Sequence, residues 1–234
     1  VRVCQDASID VLVYSSAISA TNPEILLAQE RGIPVIPRAL MLAELMRTKF
    51  SIAVAGSHGK TTTTSMISHI LIEGDLDPTV IVGGHLINSS TNAQLGSGDF
   101  LVAEADESDR SFLQLHSTLG VITNIDLEHL ETYKDLEDIK QTFIQFLNNL
   151  PFYGKAIVCI DDPVVRSILP LPHIKTIGYG VSDEAEIYAT NVVLEGAYST
   201  FDLHKRGVEG SLGSIKLHMP GQHNVLNSLA AITI

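Results

Sequence analysis

The segment Ser51–Thr64, which reads SIAVAGSHGKTTTT, decides the fold of this 234-residue chain. Its first five residues, Ser51–Ala55, are typical of a buried β-strand, and a loop with two glycines follows them. The next stretch, Thr61–Glu73, is predicted to be helical. A strand, a tight glycine turn and a helix N-terminus in this order form the setting of a phosphate-binding loop. The segment therefore predicts an α/β domain with an anion site at the turn.

The loop itself contains residues that are suited to phosphate binding, namely Gly56, Ser57, His58, Gly59, Lys60, Thr61 and Thr62. Gly56 and Gly59 let backbone N–H groups converge on an anion, and the helix dipole adds positive potential there. Lys60 supplies a positive charge for the β- and γ-phosphates, and the Thr61 hydroxyl can bind Mg²⁺. The longer form of this loop has a further glycine where Val54 stands. We therefore predict ATP and Mg²⁺ as ligands of a shortened loop, rather than a Gly-Lys-Thr turn that merely begins a helix.

Apolar runs alternate with helical segments along most of the chain. Asn22 followed by Pro23 predicts the start of a helix that Gly32 ends. Strands that alternate with helices predict a mainly parallel sheet with helices on both faces. Short alternating segments at 199–204 and 214–217 predict antiparallel strands at one edge of that sheet.

Composition limits the classes of function. The formal net charge of −12 argues against binding to nucleic acid, because the phosphate backbone would be repelled. No apolar run approaches the length of a membrane span, so no membrane partner is expected. Cys4 and Cys159 are far apart, and we predict two buried thiols in a cytoplasmic protein. The chain begins at Val1, and its last helical stretch, 224–234, has no C-cap, so we expect a longer natural protein.

Acidic residues follow the predicted strand Phe100–Ala103. Ligands of an α/β sheet gather at the carboxyl ends of its strands, where a carboxylate beside a phosphate loop is the usual ligand of Mg²⁺. Glu104 is the first acidic residue after the strand, and we predict that it binds the metal. The remaining acids of this segment are predicted to be solvated loop side chains, namely Asp106, Glu107 and Asp109.

Two further groups remain open from the residues alone. His129 follows the predicted strand Gly120–Ile125, and it is either a metal ligand or a structural histidine. Asn124 and Asp126 are no stronger as candidates. A set of polar side chains near the last helix, His223, Asn224 and Asn227, could bind a ligand, although helix capping by Asn224 explains the pattern as well.

These motifs together resemble those of the Mur ligases over essentially the whole chain. The matching segments are NPE (22–24), IPVIPRALMLAELM (33–46), GSHGKTTTT (56–64), EADESD (104–109), TNIDLEH (123–129) and PGQHNVLN (220–227). The resemblance implies that residues 1–48 end an N-terminal domain that binds the UDP part of a nucleotide sugar. Residues 49–234 would form the central ATP-binding domain, and a C-terminal ligase domain would be absent.

The resemblance also implies the reaction and the role of each residue. The best match is to ligases that join L-alanine to the carboxylate of UDP-N-acetylmuramate through an acyl phosphate, in peptidoglycan synthesis. Lys60 would contact the β- and γ-phosphates, Thr61 and Glu104 would hold the magnesium, and His129 would bind a second metal. The remaining three side chains would surround the adenine and ribose, namely His223, Asn224 and Asn227.

The sequence departs from the family pattern at a few positions. Glu128 and Glu131 stand where the family often has Asp, which leaves the geometry of the second metal open, and Ser57 replaces a more usual Thr. A ligase that attaches a recycled tripeptide to the same sugar nucleotide is one alternative, although Ser108 favours alanine addition. A nucleotide-binding module without ligase activity is another alternative. A switch GTPase is disfavoured because no guanine-reading Asn/Thr-Lys-x-Asp motif is present.

Overall fold

A small parallel sheet begins the part of the chain that the computed structural model describes, which is residues 8–15, 17–83 and 92–234. Its two strands are β1, Leu12–Tyr14, and β2, Val35–Pro37, with helix α1, Pro23–Glu30, between them in sequence. The side chain of Asn22 accepts a hydrogen bond from the Glu24 N–H at 2.9 Å, so the predicted N-cap is confirmed. Helix α2, Arg38–Arg47, leads from this unit into the large sheet.

The large sheet has ten strands among the described residues. They are β3 (Phe50–Ala55), β4 (Thr79–Ile81), β5 (Ala93–Gln94), β6 (Phe100–Glu104), β7 (Leu119–Ile122), β8 (Lys155–Cys159), β9 (Lys175–Gly180), β10 (Ile187–Glu195), β11 (Tyr198–Lys205) and β12 (Gly213–Leu217). Their order in the sheet is β12-β11-β10-β9-β8-β7-β3-β6-β4-β5. The seven strands from β10 to β4 run parallel, and β5, β11 and β12 pair antiparallel at the two ends. The predicted mainly parallel sheet with an antiparallel edge is confirmed.

Helices cover both faces of this sheet. On one face, α3 (Lys60–Glu73) packs beside α6 (Gln222–Thr233), and Ile67 and Leu229 are buried in their shared core. On the other face, α4 (Leu136–Asn148) buries its apolar stripe, and the ring of its Phe146 stacks on Phe112 at 5.0 Å. The short helix α5, Pro163–Ser167, follows β8 and begins at the N-cap Asp162. This layering places the N-terminus of α3 at the carboxyl edge of the sheet.

Two sequence expectations about the fold need correction or restriction. Asn224 does not cap α6, because the helix begins at Gln222 with Gly221 as N-cap, and the Asn224 amide instead donates to Pro220 O at 2.7 Å. The prediction of a buried thiol is confirmed for Cys159, whereas Cys4 lies outside the described residues. Strand β10 has no regular alternation in its sequence, because its burial pattern changes to exposure at a bulge between Thr190 and Val193. None of the helices that the structure describes has the length and apolarity of a membrane span.

Candidate functional site

Three neighbouring parallel strands carry the candidate site at their carboxyl ends. β3 lies between β6 and β7, and all three run in the same direction. The phosphate-type loop 56–59 follows β3, the acidic segment 104–109 includes the end of β6, and the segment 123–129 follows β7. Side chains that are distant in sequence therefore meet at one edge of the sheet, where ligands of open α/β sheets bind.

The loop after β3 has the backbone of an anion cradle. Gly56 and Gly59 adopt φ angles of +133° and +83°, and Gly59 is the left-handed N-cap of α3. A Cβ on Gly56 would lie 2.1 Å from Thr123 Oγ1, and a Cβ on Gly59 would lie 2.6 Å from Asn227 Oδ1. Both glycines are therefore required by conformation and by space. Thr61 and Thr62, in the first turn of α3, are partly exposed, so the Thr61 hydroxyl is within reach of a ligand.

The segment after β7 fixes this loop from one side. The Asn124 side chain accepts from the His58 N–H at 2.7 Å and donates to His58 O at 3.0 Å. Thr123 Oγ1 donates to the same carbonyl at 2.6 Å, and Ser57 Oγ accepts from the Asp126 N–H at 2.8 Å. The His58 ring is exposed, and its Nε2 lies 3.3 Å from Asp126 Oδ2. Sequence reasoning gave no role to Asn124, since only the fold brings it beside His58.

Lys60 points into the cradle rather than into solvent. Its ammonium donates to Gly56 O at 2.7 Å and to Ser57 O at 3.3 Å. Its Nζ also lies 2.9 Å from each carboxylate oxygen of Glu107. The lysine charge is thus held at the centre of the loop, between the backbone of β3 and the acidic segment after β6.

Glu107 was predicted to be a solvated loop side chain, and that prediction is wrong. The residue is only 2% exposed, because Lys60 and His129 lie against its carboxylate and the Tyr133 hydroxyl donates to its backbone carbonyl. Burial raises the pKa of the Tyr133 hydroxyl to about 12, so this donor keeps its proton at neutral pH. Asp106 and Asp109 are exposed, as predicted. A carboxylate buried this far is expected to be paired, which single-sequence patterns do not report.

Glu104 ends β6, and among the described residues only one of its two carboxylate oxygens has a hydrogen-bond partner. Oε2 accepts a hydrogen bond from the Gly83 N–H, whereas Oε1 is buried with no hydrogen-bond partner among the described residues. Burial removes water from a carboxylate oxygen, which costs free energy unless another partner replaces the water. A bound cation would be such a partner for Oε1. The donor set of Glu104 and Thr61 is also of the hard-oxygen kind that Mg²⁺ prefers.

His129 lies in a second group of potential ligands. The nearest ligand atoms of Glu107, Glu128 and His129 all lie within 4.8 Å of one another. His129 Nε2 is 3.6 Å from Glu107 Oε1, and its Nδ1 is 3.6 Å from Glu131 Oε1. The backbone of His129 is left-handed, with φ of +54°, which turns the ring back toward Glu107. Two carboxylates and an imidazole at this spacing suit a divalent cation.

The polar residues of α6 divide into two groups. Asn227 is 6% exposed and faces Gly59 of the loop, and its amide donates to Asn224 Oδ1 at 3.4 Å. Asn224 is likewise buried. His223 is exposed and lies over Gly221 at the start of the helix. The structure therefore brings Asn227 to the phosphate-type loop, while His223 stays at the helix end.

A cleft of about 380 Å³ has Lys60 and Glu104 in its lining. Lys60, Glu104 and Gly83 contribute polar groups to its lining, and apolar side chains of α2, among them Met41 and Leu42, line it as well. Arg38 and Asp106 also line it. A cavity of this size with few convergent polar groups is typical of a small-molecule site.

A mainly parallel sheet with a glycine loop between its central strand and a covering helix defines a phosphate-loop nucleotide-binding fold. Family comparison gives the same class in finer detail. Residues 54–234 match the Mur ligase middle domain, and residues 1–50 match a domain described as Mur ligase family, catalytic domain. The chain belongs to the Mur ligase family.

Curated relatives are similar along nearly the whole chain. A UDP-N-acetylmuramate–L-alanine ligase of Geotalea uraniireducens is 54% identical over 97% of this chain and 49% of its own length. One of Syntrophobacter fumaroxidans is 55% identical over 96% of this chain and 48% of its own length. The chain therefore spans about half the length of the curated relatives that it matches.

Solved structures share the fold. The UDP-N-acetylmuramate-alanine ligase MurC of Thermotoga maritima superimposes with a TM-score of 0.78 at 28% identity, covering 96% of this chain and 50% of that one. A ligase for UDP-N-acetylmuramate and L-alanyl-γ-D-glutamyl-meso-diaminopimelate from Neisseria meningitides has a TM-score of 0.81 at 24% identity, with coverages of 96% and 72%. The second likeness supports the fold alone.

Proposed function

We propose that this chain is the ATP-binding part of a ligase that joins L-alanine to the carboxylate of UDP-N-acetylmuramate in peptidoglycan synthesis. The relatives named as such ligases support this, because their identity to the chain exceeds 50% along nearly its full length. The observation that carries the proposal is the convergence of Lys60, Glu104 and His129 around one loop. Residues 1–48 would end a UDP-sugar-binding domain, 49–234 would form the ATP-binding domain, and the enzyme would work in the cytoplasm.

The chemistry needs positioned charge rather than a protein nucleophile. A carboxylate is a poor electrophile, and transfer of the γ-phosphoryl group to it gives an acyl phosphate with a good leaving group. The amine of L-alanine then attacks the acyl carbon, and phosphate leaves. Negative charge grows on the phosphoryl oxygens and then on the tetrahedral oxygen, so electrostatic stabilisation is the main requirement.

The residues of this chain divide that task. The loop residues Gly56, Ser57, His58 and Gly59 would surround the phosphates. The N–H groups of Gly59 and of the first turn of α3, Thr62 among them, would donate to the phosphate oxygens, because the His58 N–H already donates to Asn124. Lys60 would neutralise the β- and γ-groups. Glu104 and Thr61 fit Mg²⁺, since one buried oxygen of Glu104 has no donor in the part of the chain that the structure describes. His129, with Glu107 and Glu128 beside it, fits a second cation. Magnesium bound there would supply positive charge to the transferring phosphoryl group.

The last helix would complete the nucleotide site. Asn227 lies against Gly59, so a ligand in the loop would meet its amide directly. Asn224 and His223 would lie around the adenine and ribose. The cleft lined by Arg38 and α2 would receive the sugar-nucleotide carboxylate, because it opens beside both Lys60 and Glu104.

Nucleotide binding is tested on this chain by its melting temperature with ATP and Mg²⁺. We expect a rise for the wild type, since a ligand specific for the folded state stabilises it. Lys60→Met should abolish the rise, while Lys134→Met, at an exposed lysine outside the loop, should preserve it. An equal rise in Lys60→Met would refute the assignment of the loop.

Ligation is tested on the natural protein at full length by ATP-dependent phosphate release with UDP-N-acetylmuramate. L-Alanine should support release better than glycine, L-serine or the tripeptide L-alanyl-γ-D-glutamyl-meso-diaminopimelate. Preference for the tripeptide would instead support the recycling ligase. This chain alone should release no phosphate with the same substrates, and appreciable turnover would contradict its proposed role as one part of the enzyme.

A further inference from the structure

The charge balance around Lys60 has a functional consequence. We propose that Glu107 makes nucleotide binding by this chain depend on a divalent cation, and this inference rests on the proposed ATP site. Glu107 is a positioning residue in this proposal, because it acts through Lys60 and through the cation rather than on the reacting atoms.

The first step is the pairing of Lys60 in the protein itself. Its ammonium lies 2.9 Å from each oxygen of Glu107, and the two side chains are 19% and 3% exposed. A pair this close and this buried is weakly screened by salt. The positive charge that a phosphate loop normally offers is therefore already neutralised by a fixed anion.

The second step is the charge of the remaining surroundings. The cleft in front of the loop is lined by Glu104 and Asp106 on the acidic side and by Arg38 and Lys60 on the basic side. Glu128 adds another carboxylate beside Glu107, and His58 lies against acidic partners, Asp126 and Glu128. Nucleotide phosphates without a cation would thus enter a region whose described groups carry net negative charge.

The third step is what happens when phosphate reaches Lys60. The ammonium would be shared with the nucleotide. Glu107 would then lose part of its interaction with Lys60, the only charged partner within 3 Å of its carboxylate among the described residues. His129 and Glu128 are the next groups, and a divalent cation among them would compensate the buried carboxylate. Cation and nucleotide therefore stabilise each other's binding, and by linkage each raises the affinity of the other by the same factor.

The experiment measures this coupling by calorimetric titration of ADP and ATP into this chain. Each titration is run in EDTA and in MgCl₂ at matched ionic strength. For the wild type we expect Mg²⁺ to raise the affinity by about a hundredfold or more, on the order of typical site-to-site couplings. Glu107→Gln keeps the size of the side chain and removes its charge. It should raise the metal-free affinity about tenfold and reduce the Mg²⁺ effect by a similar factor or more.

Two further variants separate this role from a structural one. Asp109→Asn removes a charge from the same segment at an exposed position and should behave as the wild type, because its side chain can still accept from the Ser111 N–H. Glu107→Asp keeps the charge and should retain most of the Mg²⁺ dependence. A merely structural Glu107 would lower both affinities together and leave their ratio unchanged.

The outcomes distinguish the inference from the proposed function. A wild type that binds nucleotide equally in EDTA and in MgCl₂ overturns the inference without any variant, and so does a Glu107→Gln protein with the wild-type ratio. Failure of the wild type to bind either nucleotide in MgCl₂ would contradict the ATP site itself. If Glu107→Gln does not fold, the wild-type ratio and that of Glu107→Asp decide.

Discussion

The side chain of Asn124 forms both of its short hydrogen bonds with the backbone of a single residue, His58. It accepts from the His58 N–H at 2.7 Å and donates to the His58 carbonyl at 3.0 Å, across 66 positions of sequence. The loop therefore has its shape fixed from outside, because one side-chain amide bonds to the two successive peptide groups on either side of the His58 Cα. An anion site built from backbone N–H groups depends on such fixation, because the donors must be aligned before the ligand arrives.

We predict that Asn124→Asp weakens nucleotide binding. The carboxylate can still accept from the His58 N–H, but it places an anion against the His58 carbonyl, where the amide had donated. We expect the affinity for ADP with Mg²⁺ to fall about tenfold or more, because a hydrogen bond that shapes the loop is replaced by repulsion between the carboxylate and the carbonyl oxygen. Asn149→Asp, which also loses a donor to a backbone carbonyl but lies at the end of α4, is the matched control. An equal loss of affinity in both variants would contradict the role of Asn124.

Glu104→Gln should raise the Mg²⁺ concentration needed for ATP binding and have a smaller effect on the stability of the fold. The amide oxygen can still accept from the Gly83 N–H, but an NH₂ group then occupies the position of the oxygen that lacks a partner. Since an NH₂ group cannot bind a metal, we expect the Mg²⁺ concentration needed for half-maximal ATP binding to rise about tenfold or more. The titration is followed by the ATP-dependent melting temperature. A Glu104→Gln protein with an unchanged Mg²⁺ requirement would exclude Glu104 as a ligand.

Gly59→Ala tests conformation and space together, and Gly207 offers a matched comparison. Both glycines are left-handed, with φ of +83° and +82°, but a Cβ on Gly207 meets nothing within 4 Å. Gly207→Ala should therefore cost only backbone strain, about 1–2 kcal/mol of unfolding free energy. Gly59→Ala should cost more, because its Cβ also meets Asn227.

Nucleotide binding should separate the same two glycine variants. Gly59→Ala is expected to lose the ATP-dependent rise in melting temperature, and Gly207→Ala to keep it. Adding Asn227→Ala to Gly59→Ala should restore stability only in part, since the strain at Gly59 remains. Equal unfolding free energies for the two glycine variants, measured by urea denaturation, would show that Asn227 does not crowd the loop.

Alkaline pH should destabilise the protein through Cys159. Burial raises the pKa of this thiol from 9.0 to about 11, so the folded state favours the neutral form. The stabilisation is fully present below pH 9 and is lost as the pH rises through 11. The loss between these values is about 2 kcal/mol. Cys159→Ala should reduce the slope of unfolding free energy against pH between 9 and 11, whatever its effect on stability at pH 8. An unchanged slope would mean that other groups, such as Tyr133 and Tyr179, dominate it.

Local patterns predicted most of the fold. The strand, glycine and helix signals around Gly56 and the Asn22 cap all depend on neighbours within a few residues, and periodicity records such neighbours. The sequence pattern did not predict strand β10, because a bulge interrupts its alternation between Thr190 and Val193.

The candidate site was only partly predictable, because its critical contacts are distant in sequence. In the sequence, Glu107 is one of several acidic residues in a single loop. Its pairing with Lys60, which lies 47 positions away, distinguishes it from the others, and this contact has no local sequence signal. Asn124 likewise looks like an ordinary loop amide until β7 places it beside His58. Glu104 was selected by its place after a strand, which is itself a local signal.

The position of β3 between β6 and β7 also bears on how the protein opens and closes. The phosphate-type loop follows β3, Glu107 follows β6, and Asn124 follows β7, and β4 and β5 separate β3 from the other two strands along the chain. We therefore expect a ligand to be held only while all three strands are paired. Nucleotide should therefore slow amide hydrogen exchange in this trio, as ligands do for the segments whose opening destroys their site. The edge ribbon of β11 and β12 can exchange at its own rate, because it contributes no side chain to the cradle. We therefore expect nucleotide binding to depend on cooperative pairing of the central strands and to be unaffected by local opening of the edge strands.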